Sequence, residues 1–132
     1  MPNKNKRIYI TTNKNNNIMK NKTYIKTIDG LDIYFEALEE FIPLSELLPD
    51  HTEQELQNVI ENNDIFCAEI SAYLGSVKLS ETYLGGCIYE NQSDFYTKYK
   101  DEYLSDMISK VVEESKKELK ELRESIEKVI SQ

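Results

Sequence analysis

Between Ile65 and Leu84 the chain reads IFCAEISAYLGSVKLSETYL, and this stretch leaves few folds open. Phe66, Ala68, Ile70, Ala72 and Leu74 occupy every second position, with Glu69, Ser71 and Tyr73 between them. A period of two sends successive side chains to opposite faces of a strand, so one face is apolar and the other mixed. Gly75-Ser76 then supplies a two-residue turn, and glycine in first place suits type II′. The return segment alternates Val77, Leu79 and Tyr83 with Lys78, Ser80 and Thr82. These patterns predict an antiparallel sheet of three or four strands, and the helical patterns on either side of it make the fold class α+β.

TYIKTI (23–28) reads as a further strand that stops at Asp29-Gly30. Asp32 reads as the N-cap of a helix carrying Ile33, Tyr34, Ala37, Leu38 and Phe41 on one side. Glu36, Glu39 and Glu40 lie largely on the other side, and Pro43 ends the helix or restarts a short turn through LSELL. Thr52 and Glu55 form a capping box that opens a helix bringing Leu56, Val59 and Ile60 together. These early helices are expected to form one face of a small core.

Ser93 and Asp94 are the expected caps of the last helical region. Beyond them Ile108, Val111, Ser115, Leu119, Leu122, Ile126 and Val129 recur at spacings of 3, 4, 4, 3, 4 and 3. That is a helix stripe over about 101–131, supported by Glu113–Lys117 and Glu124–Lys128 pairs four residues apart. One helix of that span runs about 45 Å, more than a domain of 132 residues needs for its own core. Its far half is expected to protrude, to pack on a second copy or a partner, or to fold back along the sheet.

Charge is divided unevenly. Residues 1–28 hold Lys4, Lys6, Arg7, Lys14, Lys20, Lys22 and Lys26 and no acid, and residues 1–22 read as a flexible basic arm ahead of a single domain from 23 to 132. From Asp29 onward nine basic residues face 24 acidic ones, a net of −15. Such a body repels phosphate backbones and is drawn to basic surfaces, including those of proteins that bind nucleic acid. The plainer effect of the same charge is solubility. Two cysteines without C-x-x-C spacing point to a reducing cytoplasm, and no apolar run is long enough to span a bilayer.

YLGGCIYE (83–90) raises the question of a ligand loop, and the detail answers against it. There is no G-x-G-x-x-G, no G-K-[ST] and no parallel β-α-β context, so adjacent glycines in an antiparallel strand signal a bulge or sharp bend. Cys87 reads as a small buried hydrophobe, because its only possible histidine partner is His51 in a distant loop. Cys67, Cys87 and His51 lack zinc spacing and a fourth ligand. Asp50, Asp64 and Glu69 lack the Glu-x-Lys of a magnesium nuclease. No cofactor, no metal and no enzymatic activity are expected.

YLGGCIYE, then DFY, then YLSDMI, within about residues 65–115, resembles small accessory proteins carried by phages of low-GC bacteria. That class includes anti-CRISPR and anti-restriction inhibitors, which occupy the basic nucleic-acid channel of a defence nuclease. The resemblance implies a protein-binding inhibitor acting in the host cytoplasm, a DNA mimic without direct contact to nucleic acid. Tyrosines interleaved with carboxylates suit a basic protein surface, and Asp94, Tyr99, Asp101, Glu102, Tyr103, Asp106, Glu113 and Glu114 are the expected partner-binding residues. The alternative is a structural or assembly protein of a phage or mobile element, dimerised through the C-terminal helix.

Overall fold

The computed structural model describes residues 21–131. Asp29 and Gly30 both take positive φ, 54° and 84°, the backbone that a type I′ hairpin turn demands. They join β1 (Thr23–Ile28) to β2 (Leu31–Leu38), with Ile28 opposite Leu31. The helix expected from Asp32 to Phe41 is therefore a strand. Leu31, Ile33 and Phe35 are buried while Asp32, Tyr34 and Glu36 alternate with them, so these residues have a two-residue period as well as a helical one. The Asp-Gly turn decides between the two, because it delivers the chain directly into pairing with β1.

β3 (Asp64–Leu74) and β4 (Val77–Tyr89) are the hairpin read from the sequence, with Gly75 at φ 62° in the first turn position. All neighbours are antiparallel and the order is β1-β2-β3-β4. Each hairpin carries extra residues in one strand: Ile25 in β1, Leu79 in β4, and one of the two glycines Gly85 and Gly86 in β4. Such bulges bend the strand and increase its twist.

Between β2 and β3 lie α1 (Leu44–Leu47) and α2 (Glu53–Asn62). The capping box is formed, with Thr52 Oγ1 accepting from the Glu55 amide and Glu55 Oε1 from the Thr52 amide. Neither helix buries a residue, and Ile60 stays 52% exposed. The expectation that the early helices face the core is corrected: Leu44 and Leu47 of α1 and Leu56 and Val59 of α2 are no more than half-covered.

The core lies between the apolar sheet face and α3 (Leu104–Ile130), which comes after a 3-10 turn at Gln92–Phe95. Ile33, Phe35, Phe66, Ala68, Ile70 and Ala72 meet Phe95, Leu104, Ile108 and Val111 there. Phe35 stacks on Phe95 and meets Phe66 edge-on. Ser115 is wholly buried, and its hydroxyl is 2.7 Å from that of Ser80, which also donates to the Val111 carbonyl. Hydrogen bonding within this serine pair offsets the cost of burying two hydroxyls where the helix leaves the apolar core.

The other sheet face is polar and tied together by charge. Lys22 reaches Glu36 at 2.9 Å and Glu69 at 2.6 Å, and Lys78 reaches Glu69 at 3.0 Å and also pairs with Glu81. Residues 1–20, most of the expected basic arm, lie outside the described residues. Lys22, at the arm's end, is held against the sheet by two carboxylates.

Candidate functional site

Phe66 pairs with Cys87 and Ala68 with Leu84, so Cys67 alone faces both Gly85 and Gly86. Gly86 has φ 72°, the left-handed backbone that side chains disfavour. Its amide donates to Glu40 Oε1, while Glu40 Oε2 accepts from the Ile42 amide at 3.1 Å. These amides hold the Glu40 carboxyl below the usual carboxylate range. A Cβ on Gly86 would stand 3.3 Å from Leu47 Cδ2, so the strap from Glu40 to α1 is seated on the bulge.

Beside this bend a groove of about 500 Å³ opens where β4 runs out. Gly85, Gly86, Tyr89 and Glu90 line it from β4 and its end, and Asp94, Lys98, Tyr99, Glu102 and Tyr103 from the turns that lead into α3. Three carboxylates face one ammonium, in company with three tyrosine rings. Tyr89 and Tyr99 are 5.4 Å apart between centroids, and Lys98 Nζ lies 5.7 Å from the Tyr99 ring centre. That last contact shows a cation already resting near one of these rings, the attraction that a positive charge has for an aromatic face. Burial, with the nearby Cys87, Glu102 and Tyr103, pushes the Tyr89 hydroxyl up to about 12, so it remains a neutral donor at every physiological pH. The arrangement suits a guanidinium or ammonium group that enters between carboxylates and lies along a ring.

The eight residues expected to bind a partner divide. Asp94, Tyr99, Glu102 and Tyr103 converge on this groove. Asp101 is exposed in the same turn segment without lining it, and Asp106 and Glu113 are exposed on α3. Glu114 lines a separate, shallow groove with Lys78, Glu81 and Glu118. Sequence reasoning missed Glu90 and Lys98, and it missed that the glycine bend forms one wall of the site. The available signal was position, since YLGGCIYE ends only a few residues before the Asp94–Tyr103 cluster.

Cys87 is 4% exposed, burial pushes its thiol up to about 11, and its Sγ lies 3.4 Å from the Leu84 carbonyl. Burial would raise Glu69, but the Lys22 and Lys78 ammoniums outweigh it and hold the carboxyl below its usual range. Among the described residues no group of three or more His, Cys, Asp or Glu side chains is placed to hold a metal ion. Among the same residues no helix is long and apolar enough to cross a membrane. No protein-family model, curated protein or solved structure matches the chain.

Proposed function

We propose that this protein is a non-enzymatic inhibitor that binds a basic, nucleic-acid-binding protein, with the groove beside Gly85-Gly86 as its principal contact. The observation that carries the reading is the convergence of Glu90, Asp94 and Glu102 with Tyr89, Tyr99 and Tyr103 on one concave surface. Tyrosine gives rigid contact area at an interface, and carboxylates among the rings select lysine and arginine. The net charge of −15 beyond residue 28 speeds encounter with a positive surface and keeps nucleic acid away. A partner whose lysines and arginines are engaged here loses the same residues for its own phosphate contacts. Given the resemblance to phage accessory proteins, the partner class is a bacterial defence nuclease or effector, of the kind met by anti-CRISPR and anti-restriction inhibitors.

Phage plating tests this reading. The protein, expressed in hosts that each carry one defined restriction or CRISPR system, is expected to restore plaque formation in at least one of them. An Asp94→Asn, Glu102→Gln, Tyr103→Ala variant that folds normally is expected to lose the effect. Unrestored plating across all hosts, or a triple variant as active as the parent, contradicts the proposal.

A further inference from the structure

The apolar stripe of α3 divides at the edge of its own domain. Ile108, Val111 and Ser115 are buried and Leu119 is half-buried, whereas Leu122, Ile126 and Val129 are 42%, 54% and 74% exposed. Both hairpin turns lie near the point of division. Lys116 reaches Asp29 of the β1–β2 turn, and Lys78 and Leu79, close to the β3–β4 turn, share a groove with Glu118 and Glu121. From Glu121 to Ile130 every residue is exposed, and nothing among the described residues covers that face.

The flanks of the exposed seam are charged in a particular order. On one side Lys116, Lys120 and Arg123 are followed by Glu127, and on the other Glu114, Glu118 and Glu121 are followed by Lys128. Each flank thus reverses sign near residue 124. A two-fold axis through that point, perpendicular to the helix, sets each flank against its own reversed copy. Lys120 then runs alongside Glu127 of a second chain and Glu121 alongside its Lys128, while Arg123 lies between that Glu127 and its own copy at the axis, so the opposite-charge neighbours outnumber the one like-charge approach. The same axis puts Leu119 in a layer with Val129 of the second chain, and Leu122 with its Ile126. A parallel pairing gives a complementary flank too, but it forces two sheets into the space between the helices, because each sheet covers the seam-bearing face of its own helix at Ile108–Ser115. The antiparallel pairing sends the two sheets to opposite ends.

We infer that the distal half of α3, Leu119–Ile130, is a self-association surface on which a second copy of this chain lies antiparallel, centred near Glu124. The exposed Leu74 and Val77 at the tip of the β3–β4 hairpin extend the apolar surface towards the incoming end of the partner helix. A 1.5 Å rise per residue puts the two acidic grooves roughly 60 Å apart at the far ends of the pair, both unobstructed. Self-association of this kind does not depend on what occupies the groove.

Sedimentation equilibrium of the full chain, with and without Ile126→Glu, tests the surface. A dimer is expected for the parent. The variant is expected to dissociate about 100-fold more readily, because a carboxylate in an apolar seam is left unpaired, and to keep its circular dichroism because Ile126 lies outside the core. Mixing Leu119→Cys with Val129→Cys chains under mild oxidation tests orientation. Cross-links are expected between the two different variants, not within either one alone. A monomeric parent, a dimer indifferent to Ile126→Glu, or like-with-like cross-linking each overturns the inference.

Discussion

The Gly86 amide donates to the side chain of Glu40, 46 positions earlier in the chain, and this one bond joins the strap before α1 to the bulge that borders the acidic groove. Glu40 is the last acid before an exposed Phe41-Ile42 pair and carries no signal of its own in the sequence. Its role is to receive an amide that the bulge has removed from the sheet ladder.

Gly86 and Gly85 are adjacent but unequal. Gly86→Ala forces a side chain into left-handed backbone and towards Leu47, and it is expected to cost about 1–2 kcal/mol. Gly85→Ala meets only the end of the flexible Glu40 side chain, at 3.3 Å, and is expected to cost less. Urea denaturation of both variants checks the order. Equal losses would argue against the bulge geometry.

The ion network on the polar sheet face should shape stability against pH. Glu69 has a lowered folded value, so its contribution is present above its ordinary 4.5 and is lost as pH falls through the folded value. Burial alone would lower Lys22 and Lys78, but the Glu69 carboxylate, with Glu36 or Glu81, outweighs it and raises both. Their contribution is present below their ordinary 10.5 and is lost as pH rises through the raised values. The network's own contribution is expected to be broadly flat between these limits and to fall on both sides. Glu69→Ala, which strands Lys22 with Glu36 alone, is expected to cost about 3 kcal/mol near neutral pH and to flatten the acid limb. Chemical denaturation across pH measures both effects.

Ser71 makes the opposite prediction. Its hydroxyl is fully buried and has no hydrogen-bond partner among the described residues. Leaving a hydroxyl unsatisfied costs about 1–3 kcal/mol, so Ser71→Ala is expected to be neutral or stabilising. A clear loss of stability in the thermal midpoint would reveal an interaction that the structure does not contain.

The Cys87 thiol is expected to resist alkylation at pH 8 in the native protein and to react at once in urea, since burial pushes its value from 9.0 to about 11. The unfolded chain ionises this thiol first, so the thiol subtracts from stability as pH climbs from 9.0 towards 11. Rapid native labelling at Cys87, read by peptide mass spectrometry, would contradict the packing.

Periodicity and turn chemistry decide how much of the fold is legible in the sequence. The β3–β4 hairpin, the capping box and the long helix are all visible there, because each has a local cause in alternation, a Gly-Ser turn, a Thr–Glu spacing or a stripe. β2 reads as a helix because Ile33, Tyr34, Ala37 and Leu38 also satisfy a helical period. The discriminating signal is Asp29-Gly30, whose type I′ turn commits Leu31–Leu38 to pairing with β1. The groove is half legible. Asp94, Tyr99, Glu102 and Tyr103 share a short segment, but their meeting with Gly85 and Gly86 depends on the path of the chain between β4 and α3, which no local pattern encodes.

Whether the groove recognises basic protein side chains is tested by an amide NMR titration with an arginine- and lysine-rich peptide. Recognition in the groove predicts saturable shifts at Gly85, Gly86, Tyr89, Asp94, Glu102 and Tyr103, weakened by salt and by Glu102→Gln. Shifts that never saturate, or that spread evenly over Asp106, Glu113 and the rest of α3, would contradict it, since diffuse attraction to an acidic body needs no groove.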